Sequence, residues 1–159
     1  VNLGKEVQVG KKVTVIGGGN SAIDSARVAL RKSTGEVHVF YRREKKDMPA
    51  IAEEIEAAEE EGVHFHLLAT PARILGDDGR VAGLECTRME LREFDRSGRK
   101  TPYPIEGSEF VVDTDMVIEA IGQTPDTSFI KNGEIQTGRG GTVVADRRTL
   151  ATGREGIFA

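Results

Sequence analysis

Apolar residues first gather at positions 13–16, where Val13, Thr14, Val15 and Ile16 form a β-branched run that meets Gly17-Gly18-Gly19. A short run closed by a glycine turn predicts a buried strand over 12–16. From Asn20 the period changes. Ala22, Ile23, Ala26, Ala29 and Leu30 fall on one helical face, and Asp24, Arg27 and Arg31 fall on another. Asp24 in the first turn, Arg31 and Lys32 in the last and Gly35 as a left-handed stop are the expected end signals of this helix. Residues 36–41 then read as a second strand, so the first 41 residues predict a βαβ unit with a right-handed crossover.

After Pro49 a second helix is expected, with Ile51, Ile55 and Ala58 turned to the core and Gly62 as its stop. Its acidic run (Glu53, Glu54, Glu56, Glu59, Glu60, Glu61) reads as a solvated face beside an intact apolar stripe. Residues 63–68 predict a third strand. From residue 72 the pattern is β-rich, with turn signals at Asp77-Asp78-Gly79 and Ser97-Gly98 and alternation along 84–91, which predicts antiparallel hairpins. Residues 116–121 return to the style of a buried parallel strand and belong beside the first one. Beyond Asp126 only short apolar pieces such as Thr142-Val143-Val144 remain, too few for a second core. The expected fold is α/β: a doubly wound, Rossmann-like parallel sheet carrying an antiparallel hairpin or meander layer over about 72–113.

Composition narrows the function. The 159 residues are 38% apolar with 19 glycines, enough for one sizeable core. No stretch approaches the roughly 18 apolar residues of a membrane span, and no signal pattern opens the chain, so a soluble, cytoplasmic protein with no membrane partner is expected. The net charge is −4, with acids and bases interleaved, which leaves no nucleic-acid footprint. A single cysteine, Cys86, excludes an internal disulphide, a four-thiolate metal site and a Cys-x-x-Cys redox cycle, so redox chemistry would need a bound cofactor. The chain starts at Val1 and stops at Gly-Ile-Phe-Ala, which reads as a piece of something longer.

Gly17-x-Gly19-x-x-Ala22 matches the dinucleotide fingerprint in its Gly-x-Gly-x-x-Gly/Ala form, placed between a strand and a helix. Gly17 would allow the turn, Gly19 the approach of a pyrophosphate, and Ala22 close packing of helix on strand, while the helix N-terminus offers unpaired N–H groups, joined by Asn20 and Ser21. The bland alternative is a glycine turn that packs the junction without ligand. No acid ends the second strand to hold an NAD ribose. Tyr41-Arg42-Arg43 stands there instead, with Lys45 and Lys46 behind it, and Arg42 and Arg43 would pair the 2′-phosphate of NADP. Ala120, Ile121 and Gly122 form a second glycine exit, expected to face the nicotinamide half, with an ordinary strand-exit turn as the alternative. His64 and His66 share a strand face but have no third ligand nearby in sequence, which disfavours metal. Cys86 reads as a small buried hydrophobe, and Glu119 as a carboxylate with a hydrogen-bond partner inside an apolar strand. No Ser/His/Asp set, acid pair or phosphate loop argues for a hydrolase or kinase, and no catalytic side chain is expected.

Val15-Ile16-Gly17-Gly18-Gly19-Asn20-Ser21-Ala22-Ile23-Asp24, then Tyr41-Arg42-Arg43 with Met48-Pro49-Ala50, then Ala120-Ile121-Gly122-Gln123-Thr124-Pro125, resemble the NADPH-binding domain of the glutamate synthase small-subunit family of flavoproteins, from about residue 11 to 159. The resemblance implies that Gly17, Gly18, Gly19, Asn20, Ser21 and Ala22 hold the pyrophosphate of NADP(H), that Arg42 and Arg43 hold the 2′-phosphate, and that Ala120, Ile121 and Gly122 line the nicotinamide side. Residues 1–11, short on apolar residues, read as a lead-in, and the resemblance implies 12–125 as the NADP(H) domain and 126–159 as a return segment toward an FAD domain. In the parent, hydride would pass from NADPH to FAD and electrons onward through iron-sulfur clusters to a glutamate synthase large subunit or another acceptor. The chain has no second glycine fingerprint, no cysteine-rich region and no Gly-Gly-Asp flavin segment, so FAD and iron-sulfur clusters are expected only in the parent, and the chain alone is expected to be inactive. Rival readings are a stand-alone nucleotide sensor without catalysis, a thiol-disulphide reductase domain, which lacks its cysteine pair here, and a purely structural interaction domain.

Overall fold

The β-branched run forms β1 (Lys12–Ile16) and the amphipathic segment forms α1 (Asn20–Lys32), which leads into β2 (Glu36–Tyr41). These bounds come from a computed structural model that describes residues 7–33, 35–95, 98–130, 135–138 and 140–159. A single 3-10 turn (Lys45–Asp47) precedes α2 (Ala52–Glu61) and β3 (His64–Leu67). Then follow β4 (Ala69–Asp77), β5 (Arg80–Phe94), β6 (Lys100–Pro104), β7 (Phe110–Val112) and β8 (Met116–Glu119). The chain divides into two units, residues 1–121 and 122–159.

In the first unit the parallel sheet has the order β3-β2-β1-β8, and β4, β5, β6 and β7 pair antiparallel around the long β5. This is the α/β fold with an added antiparallel layer that the hydrophobic pattern predicts, but the sheet is not doubly wound: α1 and α2 pack on one face and antiparallel strands pack on the other. Alternation decides which side chain goes where. Val37, Val39 and Tyr41 of β2 pack with Val13, Val15 and the α1 residues Ala22, Ile23, Ala26 and Ala29. Phe40, on the opposite face, joins Ala69, Leu84 and Cys86 of the antiparallel layer, with Phe110, Val112 and Val117 beside them. A two-residue turn, Asp78 (φ 46°) and Gly79 (φ 75°), joins β4 to β5, as the Asp-Gly signal requires for strands of right-handed twist.

Several end signals resolve differently. The helix begins at Asn20, so Asp24 lies beyond the first turn and no acid occupies it. Gly35 is not left-handed: α1 stops at extended Ser33, whose amide donates to the Ala29 carbonyl at 2.7 Å. Gly35 is needed for another reason, since a Cβ there would lie 1.9 Å from the Lys11 carbonyl oxygen. Ile51 sits before α2 as its N-cap and is 55% exposed, so the core stripe of that helix is Ile55 and Ala58. Gly62 does stop α2 in the left-handed region, at φ 106°. The antiparallel layer starts at Ala69, three residues before the shift at 72, because Leu68 (φ 52°) turns the chain out of the parallel sheet. The acidic run is only partly a bare face: Arg27 pairs with Glu54 and Glu61, and Arg31 with Glu61, which ties α2 to α1. Of the turn expected at Ser97-Gly98, Ser97 lies outside the described residues, and Gly98 has φ 78°.

The second unit is built from isolated antiparallel bridges, Thr137 to Val143, Ala145 to Thr152 and Ala151 to Phe158. None of its described residues is among the buried hydrophobic side chains. One turn is fixed by the Asp146 carboxylate, which accepts from the amides of Arg148 and Thr149 and is held below the usual carboxylate range by those bonds.

Ile23 is fully buried on the face of α1 that packs against the parallel sheet. Ile23→Ala is expected to cost about 2–5 kcal/mol, read as a lower urea midpoint with an unchanged slope.

Candidate dinucleotide site

The parallel strands β2 and β8 lie on opposite sides of β1, so the order of the sheet reverses there, and a crevice at the carboxyl ends of such strands is where open α/β sheets bind ligands. The glycine turn occupies that point. Gly17 has φ 140°, its amide donates to the Phe40 carbonyl at 3.0 Å, and a Cβ on it would lie 2.3 Å from the Ala120 carbonyl oxygen. Only glycine meets both demands. Gly18, a free position in the fingerprint, is as constrained: a Cβ there would sit 2.6 Å from the Tyr41 ring. Its carbonyl accepts from the Ala50 amide at 3.1 Å, and the Tyr41 hydroxyl donates to the Asp47 carbonyl at 2.7 Å. Tyr41 and Met48-Pro49-Ala50 therefore strap the glycine turn in place.

Gly19 differs. The nearest atom to a Cβ on it is Pro49 Cγ at 4.0 Å, so its side is open. It is the N-cap of α1 with no side-chain cap, and its carbonyl accepts from Ala22 and Ile23. The amides of Gly18, Gly19, Asn20 and Ser21 donate to no group among the described residues. Four unpaired donors at the positive end of a helix form a place for an anion. Ser21 is exposed, and Ala22 is fully buried under the turn. The Asn20 side chain faces α2, where its Oδ1 accepts from the Ile51 amide at 3.0 Å.

The two arginines at the end of β2 part company. Arg42 is exposed and has no ion-pair or hydrogen-bond partner among the described residues. Arg43 is buried: its Nε donates to the Lys100 carbonyl at 3.0 Å and its Nη2 lies 3.6 Å from Asp95 Oδ2. Lys45 pairs with Glu59, and Lys46 with Glu44, which holds the Glu44 carboxyl below its usual range. At the end of β8, the Ala120 amide donates to the Ile16 carbonyl at 2.8 Å and Ile121 is 70% exposed. The strand stops at Glu119, two residues before the expected end. Gly122 opens the second unit with φ 95°.

The bland readings hold for Cys86, which is fully buried and whose thiol burial pushes up to about 11. Glu119 is exposed at the strand end, so water solvates it and no protein partner is needed. Sequence reasoning placed His64 and His66 on one face and missed His38, which strand register brings opposite His64. His38 Nδ1 and His66 Nε2 are 2.9 Å apart, the His38 and His64 rings stack at 5.1 Å, and His66 stacks on Phe40 at 4.4 Å. Glu36 lies 3.4 Å from His38. No group of three ligating side chains among the described residues is arranged to hold a metal. No helix there is long and apolar enough to cross a membrane.

The fold is an α/β domain of the Rossmann type with a glycine turn at the reversal of its sheet. A family model described as pyridine nucleotide-disulphide oxidoreductase matches residues 2–159, and the chain belongs to that family. It is 48% identical over 150 residues to the NADP(+)-dependent formate dehydrogenase subunit beta of Moorella thermoacetica, covering 94% of this chain and 21% of that protein. It is 42% identical over 152 residues to the glutamate synthase [NADPH] small chain of Azospirillum brasilense, covering 94% of this chain and 31% of that protein. The chain thus spans between a fifth and a third of the length of these relatives. Among solved structures, the thioredoxin reductase of T. acidophilum superposes with a TM-score of 0.74 over 94% of this chain and 43% of that one, at 24% identity, a likeness of fold. The relatives agree with the resemblance drawn from the motifs.

Two measurements bear on the buried groups. Burial, then the charges of His38 and His64, holds His66 below its ordinary value of 6.5, so the unfolded chain takes up the proton more readily than the folded one. Stability is fully present above about pH 6.5 and is lost as pH falls below it, so the thermal midpoint is expected to drop on acidification through that value, less so in His66→Phe. Cys86 is expected to resist alkylation at neutral pH until denaturant exposes it, which a timed thiol assay reads directly.

Proposed function

We propose that this chain is the NADPH-binding domain of a flavin-dependent oxidoreductase of the glutamate synthase small-subunit type. The observation that carries the reading is the glycine turn at the reversal of the sheet, whose four amides have no partner among the described residues, together with Arg42 at the end of the neighbouring β2, exposed and likewise without a partner among them. The residues fit the nucleotide. The open side of Gly19 leaves room for a pyrophosphate that the amides of residues 18–21 would hold, and Ala22 keeps the helix end close to the strand. Arg42 would pair the 2′-phosphate, since its neighbours Lys45 and Lys46 already face carboxylates. Ala120 and Ile121, at the carboxyl end of β8, would border the nicotinamide half.

When bound, NADPH supplies a hydride, and in the parent the acceptor would be FAD, with iron-sulfur clusters and an electron-accepting partner beyond it. This chain's part is to bind and orient, which needs no acid or base of its own. Support for the larger assembly comes from the relatives, two of which are named as subunits or chains and are three to five times longer than the matched region. The FAD domain and iron-sulfur region would then belong to the same parent chain, and a large subunit or another acceptor would be the partner.

Calorimetric titration with NADPH and NADH tests the reading. NADPH is expected to bind more tightly, and Arg42→Ala to lose about tenfold or more of that preference, the worth of one charge-assisted pair. Equal binding of both nucleotides by the unaltered chain would overturn the assignment of NADPH, and NADPH oxidation by the chain without added flavin would overturn the division of labour.

A further inference from the structure

Arg42 is flanked by two residues that the fold fixes from opposite sides. Before it, Tyr41 lies against Gly18 and donates its hydroxyl to the Asp47 carbonyl. After it, Arg43 is bound to the hairpin of β5 and β6. Its guanidinium donates to the Lys100 carbonyl and faces Asp95, and its own carbonyl accepts from the Leu68 amide at 3.2 Å, at the corner where the chain leaves the parallel sheet. Asp95 is fixed by its own turn: its amide donates to the Arg99 carbonyl at 2.7 Å, and its Oδ1 accepts from the Arg99 amide at 3.2 Å. The Arg43 side chain is 8% exposed. To reach a phosphate at the surface the buried Arg43 guanidinium would have to give up its hydrogen bond to the Lys100 carbonyl and its place beside the half-exposed Asp95 carboxylate, leaving that carbonyl without its donor.

We propose that Arg43, held by Asp95 and the Lys100 carbonyl, is a positioning residue for Arg42, so that the antiparallel hairpin takes part in selecting the 2′-phosphorylated nucleotide. The inference rests on the NADPH reading and deepens it. Of the paired arginines, one binds and the other aims it. The physical reason is entropic: an exposed arginine on a free loop loses rotamer and backbone freedom when it pairs a phosphate, and anchoring both neighbours removes the backbone share of that loss beforehand.

The test is a double-mutant cycle on the chain, titrated with NADPH and NADH by calorimetry, with circular dichroism to verify folding. Arg43→Met keeps the aliphatic stem and removes the guanidinium. It is expected to lower the NADPH-over-NADH preference about three- to tenfold with NADH affinity unchanged, and to lower it no further in the Arg42→Ala background, because it acts through Arg42. Asp95→Asn is expected to shift the preference in the same direction by less, and it serves with Arg43→Lys if Arg43→Met does not fold. An additive loss in the double variant would mean that Arg43 touches the phosphate itself and overturns the proposal. So would an unchanged preference accompanied by a lower melting point, the mark of a merely structural residue. Failure of the underlying reading looks different: the folded, unaltered chain binds neither nucleotide or does not discriminate between them, and Arg42→Ala changes nothing.

Discussion

The first unit depends on how closely backbones approach one another at the carboxyl end of β1. Gly17 lets the Ala120 carbonyl come within a distance that any Cβ would forbid, and Gly18 does the same for the Tyr41 ring. These two contacts bring the exits of β8 and β2 against the turn between β1 and α1. The helix end is thereby presented with its amides unpaired among the described residues, while Ala22 and Ile23 are fully buried behind it. An alanine at either glycine would push apart the elements that make the crevice. The residues that allow a ligand to approach are thus also those that let the sheet close around β1.

Both faces of the parallel sheet are covered, each by a different kind of layer. Helices α1 and α2 bury Val37, Val39 and Tyr41, while the antiparallel strands bury Phe40 with Leu84 and Cys86. Central parallel strands need such double cover, since an exposed face would leave apolar side chains in water. The second layer has a consequence for the site. Its β5 and β6 hairpin extends to the end of β2, where it receives the Arg43 guanidinium. A layer required for burial thereby reaches the segment proposed to recognise the nucleotide.

Charge is distributed with similar economy. Arg27 and Arg31 meet glutamates of α2, Lys45 meets Glu59, Lys46 meets Glu44 and Arg43 meets Asp95. Surface pairs of this kind contribute little stability one by one, about 0–1 kcal/mol each. Their effect here is selective: within the cationic segment after β2, Arg42 is left without a carboxylate among the described residues. An exposed positive charge without a partner among the described residues, at the carboxyl end of a parallel strand, is suited to an anion from solution.

What the sequence determined by itself was local and periodic. The bounds of β1 and β2, the start of α1 after the glycines, the stop of α2 at Gly62 and the Asp-Gly hairpin all follow from side-chain period and backbone sterics within a few residues, and all are found. The fingerprint was legible for the same reason, because its spacing is set by one turn and one helix. What only the tertiary structure decided depended on contacts between residues far apart in the chain. Gly35 matters for its approach to Lys11, and Gly18 for its approach to Tyr41. His38 joins the other two histidines only through strand register. Arg42 and Arg43, adjacent and chemically identical, take opposite surroundings because a hairpin more than fifty residues later supplies Lys100 and Asp95 to one of them. No local pattern could separate that pair, since the partner that buries Arg43 arrives only when the two layers pack.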